Sequence, residues 1–429
     1  MNILKSITIE GLWGNSTSTI KIPIDPNFNF LIGQNGTGKT TVINLIAAAL
    51  AADFERLDKT QFSRILIILK EVNGRKNPSI EIVKKAKTDI PYYDIEYKIK
   101  NSSKEDAKVF DLDAAAEEKF FRGVPPRVLR ERFFKEQFFD IQQQLKSMVS
   151  LSWLSVHRQS AEQRNEDNRR YISSVDQKLE GLKNEFVKYF AQLSRKYGDQ
   201  TREFQKKVFL SLLTPQNESS IIEKSKSINI ESEKKSLANV FEVLGVESSK
   251  YSSGLKTHFE QFQKARESIL RERKLTTNSF SAIYNTYKTH SLVGYYEELE
   301  KSKNEIFRPR DTFISVLNTL LDGRKIASIS ERNEITIKAK DGRQIDLEDL
   351  SSGEKQLLII LGEALLQENS YHIYIADEPE LSLHVTWQEK LTSSISKLNP
   401  NAQILFATHS PDIVSVFTDK VINMEQILG

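Results

Sequence analysis

The sequence contains no cysteine in its 429 residues. Disulfides, thiolate catalysis and cysteine-based zinc or iron–sulfur sites are therefore excluded. Long hydrophobic runs are also missing, because the longest runs of leucine and isoleucine, residues 65–69 and 357–361, have five members each. A bilayer span needs roughly 20 such residues. A large charge excess is missing too, since 61 basic and 58 acidic residues leave a net charge of +3, and bulk charge does not hold such a chain to nucleic acid.

The N-terminal sequence, length and composition predict where the protein is located and how many folding units it has. The first residues alternate like a β-strand and show neither an apolar signal region nor a small-residue cleavage site, so we expect no secretory signal. A cytoplasmic protein without a membrane partner is the simplest expectation. At roughly 100–200 residues per domain the length predicts about two to four folding units. The 39% hydrophobic and 28% charged residues are typical of a globular chain that carries long solvated helices.

Three regions with different patterns of apolar and charged residues follow one another along the chain. Residues 1–158 mix short strand-like runs with two helical patterns, one of them after Pro126, and end in a strand-like stretch at 149–158. Residues 159–307 carry long charged stretches with apolar residues at helical spacing. Residues 308–429 return to the mixed pattern, with two near-continuous apolar runs that are typical of buried parallel strands. The sequence therefore predicts an α/β core in two lobes, 1–158 and 308–429, split by a helical or coiled-coil insertion at 159–307.

The insertion begins with an apolar stripe whose members step by three or four residues, as on one face of a helix. The stripe consists of Val175, Leu179, Leu182, Phe186, Phe190 and Leu193. An ordinary helical subdomain and a projecting antiparallel coiled-coil hairpin both fit this pattern. Serine-rich stretches around 217–236 and 247–254 predict loops between the helices.

A glycine-rich motif provides the first chemical signal. Residues 33–40 read GQNGTGKT and match GxxxxGK[ST] between a strand-like run and a helical run. Successive backbone N–H groups of such a loop form a concavity that fits a triphosphate, helped by the positive end of the next helix. We expect Lys39 to lie along the β- and γ-phosphates of ATP and Thr40 to bind Mg²⁺. The predicted nucleotide-binding residues are Gly33, Asn35, Gly36, Thr37, Gly38, Lys39, Thr40 and Thr41.

Two adjacent carboxylates follow an apolar run. In YHIYIADEPE the strand-like residues lead directly to Asp377 and Glu378. Two buried carboxylates are costly unless a cation meets them, and Mg²⁺ with a nucleotide is such a cation. Asp377 is therefore the predicted metal ligand, and Glu378 is the predicted residue that polarises the attacking water. Taken alone, the pair also fits the charged start of a helix.

A third motif points to a family. Residues 350–356 read LSSGEKQ at the start of an amphipathic helix, and this string resembles the signature motif of ABC-type ATPases in its SMC/Rad50/RecF-like form. In that family the signature of one subunit closes over the γ-phosphate held by the P-loop of another. The resemblance implies nucleotide contacts across a homodimer or a higher homo-oligomer. They would come from Ser351, Ser352, Gly353 and Glu354.

Further family positions are less sharply marked. His409 in FATHSP resembles the switch histidine that contacts the γ-phosphate and the attacking water. Gln159 is the candidate for the family's magnesium-reaching glutamine, although Gln61 and Gln137 compete with it. His384, in DEPELSLH, resembles the loop after the paired carboxylates in OLD and anti-phage ATPases. Contact with nucleotide and packing at a subunit junction both remain open for His384.

The combined motifs resemble the stand-alone ATPase subunits of anti-phage systems such as PARIS and Septu. This resemblance implies an ATP-hydrolysing sensor or scaffold that controls a separately encoded effector, such as a Toprim or HNH nuclease, and responds to a phage trigger protein. Two alternatives stay open. One is a RecF/Rad50-like DNA-repair ATPase, in which Lys84, Lys85 and Lys87 contact phosphates or merely line a solvated strand edge. The other is a structural clamp that uses ATP as dimerisation glue.

Overall fold

The computed structural model describes residues 1–15, 17–86, 93–111, 139–155, 174–213, 218–272 and 276–428. The chain divides into two compact units, one formed by Met1–Val187 with Pro309–Gly429 and the other by Lys188–Arg308. Both boundaries fall inside long helices, whereas the sequence pattern placed them at 158/159 and 307/308. Helices therefore run from one unit into the other without a break in secondary structure.

The described strands are β1 (Asn2–Glu10), β2 (Thr19–Pro23), β3 (Phe28–Ile32), β4 (Arg64–Glu71), β5 (Ser79–Ala86), β6 (Tyr93–Lys100), β7 (Lys108–Asp111), β8 (Leu151–Ser155), β9 (Lys325–Ile329), β10 (Ile335–Ala339), β11 (Gln344–Ile345), β12 (His372–Asp377), β13 (Ala402–Ala407) and β14 (Val421–Asn423). The described helices are α1 (Lys39–Ala51), α2 (Phe54–Lys59), α3 (139–148), α4 (Ser174–Leu213), α5 (Glu218–Lys226), α6 (Ile230–Val243), α7 (Ser248–Glu272), α8 (Thr277–Leu321), α9 (Ser352–Leu366), α10 (Val385–Leu398), α11 (Pro411–Val414) and α12 (Met424–Leu428).

A parallel sheet positions the motifs. Its described strands follow the order β14–β3–β13–β12–β8, and every neighbouring pair is parallel. Leu31, Ala407, Asp377 and Ser155 lie in one row across four of these strands. Because the carboxyl ends of parallel strands meet at one edge, the residues that follow this row converge there.

A second, antiparallel sheet of order β2–β1–β4–β5–β6–β7 shares a buried core with α1 and the parallel sheet. Nearly all of α1 is buried, in a core that also contains Ile7 and Ile67 from the antiparallel sheet and Ile375 from the parallel sheet. The run of small residues in α1 allows this close approach on several sides. The helix that follows the glycine-rich loop is therefore fixed on all faces.

The first turns of α4 hold α9 in place. Leu179, Leu182 and Phe186 of the predicted stripe are buried. Lys355 Nζ lies 2.6 Å from a carboxylate oxygen of Asp176, and Lys178 Nζ lies 2.8 Å from Glu363. The start of α9, which carries the LSSGEKQ motif, is thereby fixed by packing and by half-buried ion pairs.

The described residues of the second unit, Lys188–Arg308, form helices joined by short turns and contain no strand. The loops expected around 217–236 and 247–254 were wrong, because α5, α6 and the start of α7 occupy these stretches. Asn229 caps α6 by accepting a hydrogen bond from the Ser232 N–H. A buried cluster holds the helices together; it contains Ile221, Ile228, Leu255, Phe259, Phe262, Ala265, Ile283 and Tyr287. Packing of these apolar residues outweighs the weak helix preference of serine.

The predicted α/β class with a central helical region is confirmed by this arrangement of sheets and long helices. The helix expected after Pro126 is seen at 139–148, and its earlier part lies outside the described residues. Within the described ranges, no helix combines the length and apolarity that a membrane crossing needs.

Candidate active site

The glycine-rich loop connects β3 to α1, as the motif requires. Gly36 and Gly38 adopt φ angles of 85° and 80°, a left-handed conformation that other residues adopt only with strain. Gly38 also lies against the indole of Trp13, so close that a Cβ on Gly38 would stand 2.3 Å from Trp13 Cζ2. A side chain at position 38 would be strained in this conformation and would have to displace the Trp13 ring.

Lys39 lies folded over this loop. Its Nζ donates hydrogen bonds to the carbonyl oxygens of Gly33, at 2.8 Å, and of Gln34, at 3.0 Å. Burial lowers the pKa of the Lys39 ammonium, and the carboxylates of Glu378 and Asp377 partly offset that effect. The ammonium is therefore preformed beside the loop amides, where an anion with stronger acceptors can replace the two carbonyls.

Thr40 and Asp377 meet at the carboxyl edge of the parallel sheet. Thr40 Oγ1 donates to Asp377 Oδ1 at 3.1 Å, although the two residues are 337 positions apart in sequence. Asp377 is buried. A threonine hydroxyl beside a carboxylate is the oxygen-rich pair that holds Mg²⁺ in P-loop proteins. The residues present thus fit a magnesium-bound triphosphate.

Glu378 and His409 face each other across the end of β13. His409 Nε2 lies 3.9 Å from Glu378 Oε1, and about a third of each side chain is exposed. Glu378 adopts a φ of 47°, while its N–H donates to the Ala407 carbonyl at 2.8 Å. A non-glycine residue in this left-handed region stores strain that is common at functional sites. The pair can contact one water molecule from two sides.

The LSSGEKQ motif opens α9. Ser351 caps the helix in a reciprocal capping box with Glu354. Burial raises the pKa of the Glu354 carboxyl, but hydrogen bonds from Lys325, 2.8 Å away, and from Ser351 outweigh it, so the pKa is lowered. Glu354 is thus engaged within its own chain, while Ser351 and Ser352 are exposed.

These residues form one wall of an open hollow of about 620 Å³, which we call the signature hollow. Its lining residues are Leu321, Arg324, Lys325, Ser351, Ser352, Gly353, Glu354, Ser382, Leu383, His384 and Trp387. His384 caps α10 through a hydrogen bond from the Thr386 N–H to its Nδ1. His384 therefore has a structural role in its own chain and also faces the signature hollow.

Gly353 connects the signature hollow to the loop after β12. A Cβ at Gly353 would lie only 2.3 Å from the carbonyl oxygen of Ser382. Ser382 itself adopts a φ of 70°. Only glycine at position 353 allows the α9 backbone to approach this loop so closely.

A family model described as "AAA domain, putative AbiEii toxin, Type IV TA system" matches residues 28–415, which is most of the chain. The chain belongs to this family. The match runs from β3, ahead of the glycine-rich loop, to just after α11, and so includes every motif described above.

Curated relatives match over shorter stretches. A "Retron Vc95 probable ATPase" of Vibrio cholerae serotype O1 biovar El Tor is 27% identical over 179 residues, 38% of this chain and 34% of the relative. The "Septu protein PtuA" of Bacillus thuringiensis is 33% identical over 99 residues, 20% of this chain and 24% of the relative. The chain thus spans about a third or less of the length of these relatives. The resemblance to ATPase subunits such as those of Septu is confirmed.

Solved structures of Smc heads resemble this chain more distantly. The Smc head domain with an extended coiled coil bound to the C-terminal domain of ScpA, derived from Pyrococcus furiosus, is 13% identical with a TM-score of 0.44. The alignment covers 99% of this chain and 93% of that one. The SMC head domain from Thermotoga maritima is 11% identical with a TM-score of 0.38, over 98% of this chain and 94% of that one.

The predicted site residues divide into two groups. Lys39, Thr40, Asp377, Glu378 and His409 come together at the edge of the parallel sheet. The residues predicted from the signature motif border the signature hollow instead. Two of the competing glutamines, Gln159 and Gln137, lie outside the described residues. The third, Gln61, accepts a hydrogen bond from the Trp13 N–H through its main-chain carbonyl.

The two interpretations of Lys84 from the sequence are both wrong. Neither a phosphate contact nor a solvated strand edge describes it, because Lys84 is buried and donates to the carbonyls of Leu57, Asp58 and Thr60 at the end of α2. Burial lowers the pKa of its ammonium. Lys85 is exposed beside Glu96, and Lys87 lies outside the described residues.

Two contacts with the glycine-rich loop were not predicted from the sequence. Glu425, in α12, accepts a hydrogen bond from the Gln34 N–H at 3.1 Å, and Trp13 covers Gly38. Nothing in the motif indicates either partner, because both come from distant segments with no pattern of their own. The sequence marks Glu380 only as part of the DEPELSLH string, whereas in the structure its carboxylate is buried.

Proposed function

We propose that this chain binds ATP on residues 33–41 and hydrolyses it. The observation that carries the proposal is the meeting of Thr40 with Asp377 beside Lys39, within the same edge as Glu378 and His409. Family membership and ATPase relatives support it. Loop geometry, cation and paired carboxylates together match phosphoryl transfer, in which positioning and charge stabilisation do most of the work.

Each side chain has a distinct part in this chemistry. Lys39 exchanges its carbonyl contacts for phosphate oxygens, and Thr40 with Asp377 would hold Mg²⁺, which would neutralise charge on the phosphates. Glu378 accepts a hydrogen bond from the attacking water and orients it toward the γ-phosphate. His409 donates to the phosphate or to the same water, within reach of Glu378. Glu378 and His409 are both partly exposed to solvent.

The exposed Ser351 face supports a second proposal about assembly. Ser351, Ser352 and the backbone of Gly353 stand at the start of a 15-residue helix, whose N–H groups and dipole favour an anion. We infer that this face closes over the γ-phosphate bound by a second copy of the chain. Arg324 lines the same hollow and adds positive charge to it.

The biological role is proposed from the relatives. Retron and Septu proteins match this chain, and we infer that it too serves in an anti-phage system. There it controls a separately encoded effector, such as a Toprim or HNH nuclease, and responds to a phage trigger protein. Co-expression with a neighbouring nuclease gene tests this: the two proteins should copurify, and an ATPase-deficient variant should change nuclease activity. Independent behaviour of the two proteins would remove the effector role.

Hydrolysis is tested with Glu378→Gln, which keeps size and removes the carboxylate. We expect phosphate release to fall by at least about 100-fold while ATP still binds, and we expect the variant to accumulate an ATP-bound dimer, visible as a doubled solution mass. Wild-type turnover in the variant would contradict the assignment. Loss of turnover with full biological output would instead favour the ATP-glued clamp.

A further inference from the structure

Glu380 is a buried carboxylate that has no assigned part in the proposed hydrolysis. It lies two residues beyond Glu378 and is only 9% exposed. Its Oε1 accepts hydrogen bonds from Thr408 Oγ1 at 2.6 Å, from the His409 N–H at 2.9 Å and from the Ser410 N–H at 3.3 Å. One carboxylate oxygen therefore holds three consecutive residues of the loop after β13.

A buried carboxylate is expensive to maintain. Charge-assisted hydrogen bonds from three donors offset much of the desolvation cost at Oε1. The second oxygen, Oε2, is also buried and has no hydrogen-bond partner among the described residues. An apolar residue of similar size would avoid that cost, but it would leave the His409 N–H and the Thr408 hydroxyl without their acceptor.

The same loop is fixed from a second direction. Ser410 Oγ donates to Gln388 Oε1 at 2.6 Å, and Gln388 Nε2 donates to the Leu383 carbonyl at 2.9 Å. Residues 380–383, which include the Ser382 carbonyl under Gly353, therefore bind the His409 loop both directly and through Gln388. Displacement of one segment would move the other.

We propose that Glu380 is a positioning residue for His409. By holding the main chain of residues 408–410, it fixes the imidazole within reach of Glu378. Glu380 then acts on turnover through His409 and contributes little to ATP binding, which rests on residues 33–41. This inference rests on the proposed ATP hydrolysis.

A double-mutant cycle tests the proposal. The variants are Glu380→Ala, His409→Ala and the double variant, each measured for kcat, KM and ATP dissociation constant. We expect each single change to lower kcat by about tenfold or more, with the dissociation constant within about threefold of wild type. Since Glu380 acts through His409, adding Glu380→Ala to His409→Ala should cost no further activity. Additive losses, or loss of ATP binding in Glu380→Ala, would overturn the proposal.

A milder pair of variants covers the case in which Glu380→Ala does not fold. Thr408→Val removes one of the three donors to Glu380, and we expect kcat to fall about three- to tenfold with unchanged ATP affinity. Thr392→Val is the matched control, because Thr392 is equally buried but donates to the Ile413 carbonyl, and it should leave kcat unchanged. Equal effects of the two valines would overturn the positioning role. Absence of hydrolysis by the wild-type chain would instead remove the proposed function.

Discussion

At the scale of single residues, Lys39 carries the clearest prediction. Its ammonium is held by two loop carbonyls that an incoming phosphate can replace. Lys39→Ala should therefore weaken ATP binding on the order of 100-fold, as measured by calorimetry, since charge-assisted contacts to the phosphates are lost. Lys85→Ala is the control, because Lys85 is exposed and lies 3.5 Å from Glu96. Unchanged affinity in Lys39→Ala would argue against ATP binding on this loop.

The capping box at Ser351 predicts a pH dependence of stability. The pKa of Glu354 is lowered from its ordinary 4.5 in the folded chain. Its contribution to the free energy of unfolding is therefore complete above about pH 4.5 and is lost as the pH falls through the lower folded value. Between pH 5 and 3, denaturant melts should show a steeper loss of stability in wild type than in Glu354→Gln. Parallel curves would show that this carboxyl does not stabilise the folded chain.

The contact between Thr40 and Asp377 could be predicted from the sequence motifs, but the other residues that contact the glycine-rich loop could not. The spacing of GQNGTGKT and the DE pair after a strand predicted that Thr40 and Asp377 would share a metal site, and the structure brings them within hydrogen-bond distance. Glu425 and Trp13, which contact the same loop, have no local signal. A motif predicts the chemistry of its own residues, whereas contacts between distant segments depend on how the whole chain packs.

At the scale of elements, the same contrast holds for secondary structure. The strand, loop and helix around residues 28–51 follow from strong local patterns. The serine-rich stretches were wrong as loops, because helices α5 to α7 gain stability from burying Ile221, Leu255 and Phe259. The prediction for Lys84 was wrong for a related reason. A lysine on a strand is expected to be solvated, but here the end of a neighbouring helix supplies three carbonyl acceptors for the ammonium.

The contact between α9 and the loop after β12 predicts the effect of Gly353→Ala. The added methyl would overlap the Ser382 carbonyl, and overpacking of this kind costs about 1–3 kcal/mol in the free energy of unfolding. We also expect ATP turnover to fall, because the loop that carries Ser382 moves. Gly181→Ala in α4 is the matched control, since its added Cβ would meet no other described segment of the chain within 4 Å, and it should stabilise by up to about 1 kcal/mol. Equal melting curves and turnover for both variants would show that the α9 contact tolerates a side chain.

At the scale of the whole molecule, the parallel sheet explains how a split sequence forms one site. Residues near 39, 377 and 409 follow neighbouring strands that end at one edge. The mixed patterns of residues 1–158 and 308–429 predicted one α/β core built from both lobes. The exact boundaries of the helical unit could not be read from periodicity alone, because a helical stripe shows which face of a helix is buried but not where that helix begins and ends.

The central claim is that ATP binds between the glycine-rich loop of one copy and the Ser351 face of another. Lys39→Ala and Ser351→Arg, each expected to be inactive alone, should regain ATPase activity when mixed, because a mixed dimer contains one composite site with both faces intact. Random mixing predicts about a quarter of the wild-type rate, since half the dimers are mixed and one of two sites is whole. Mixing Lys39→Ala with a chain that carries both Lys39→Ala and Ser351→Arg should give no activity, because neither partner then has an intact Lys39. Regained activity in the first mixture alone is the predicted result, and the absence of any gain would contradict a site shared between two copies.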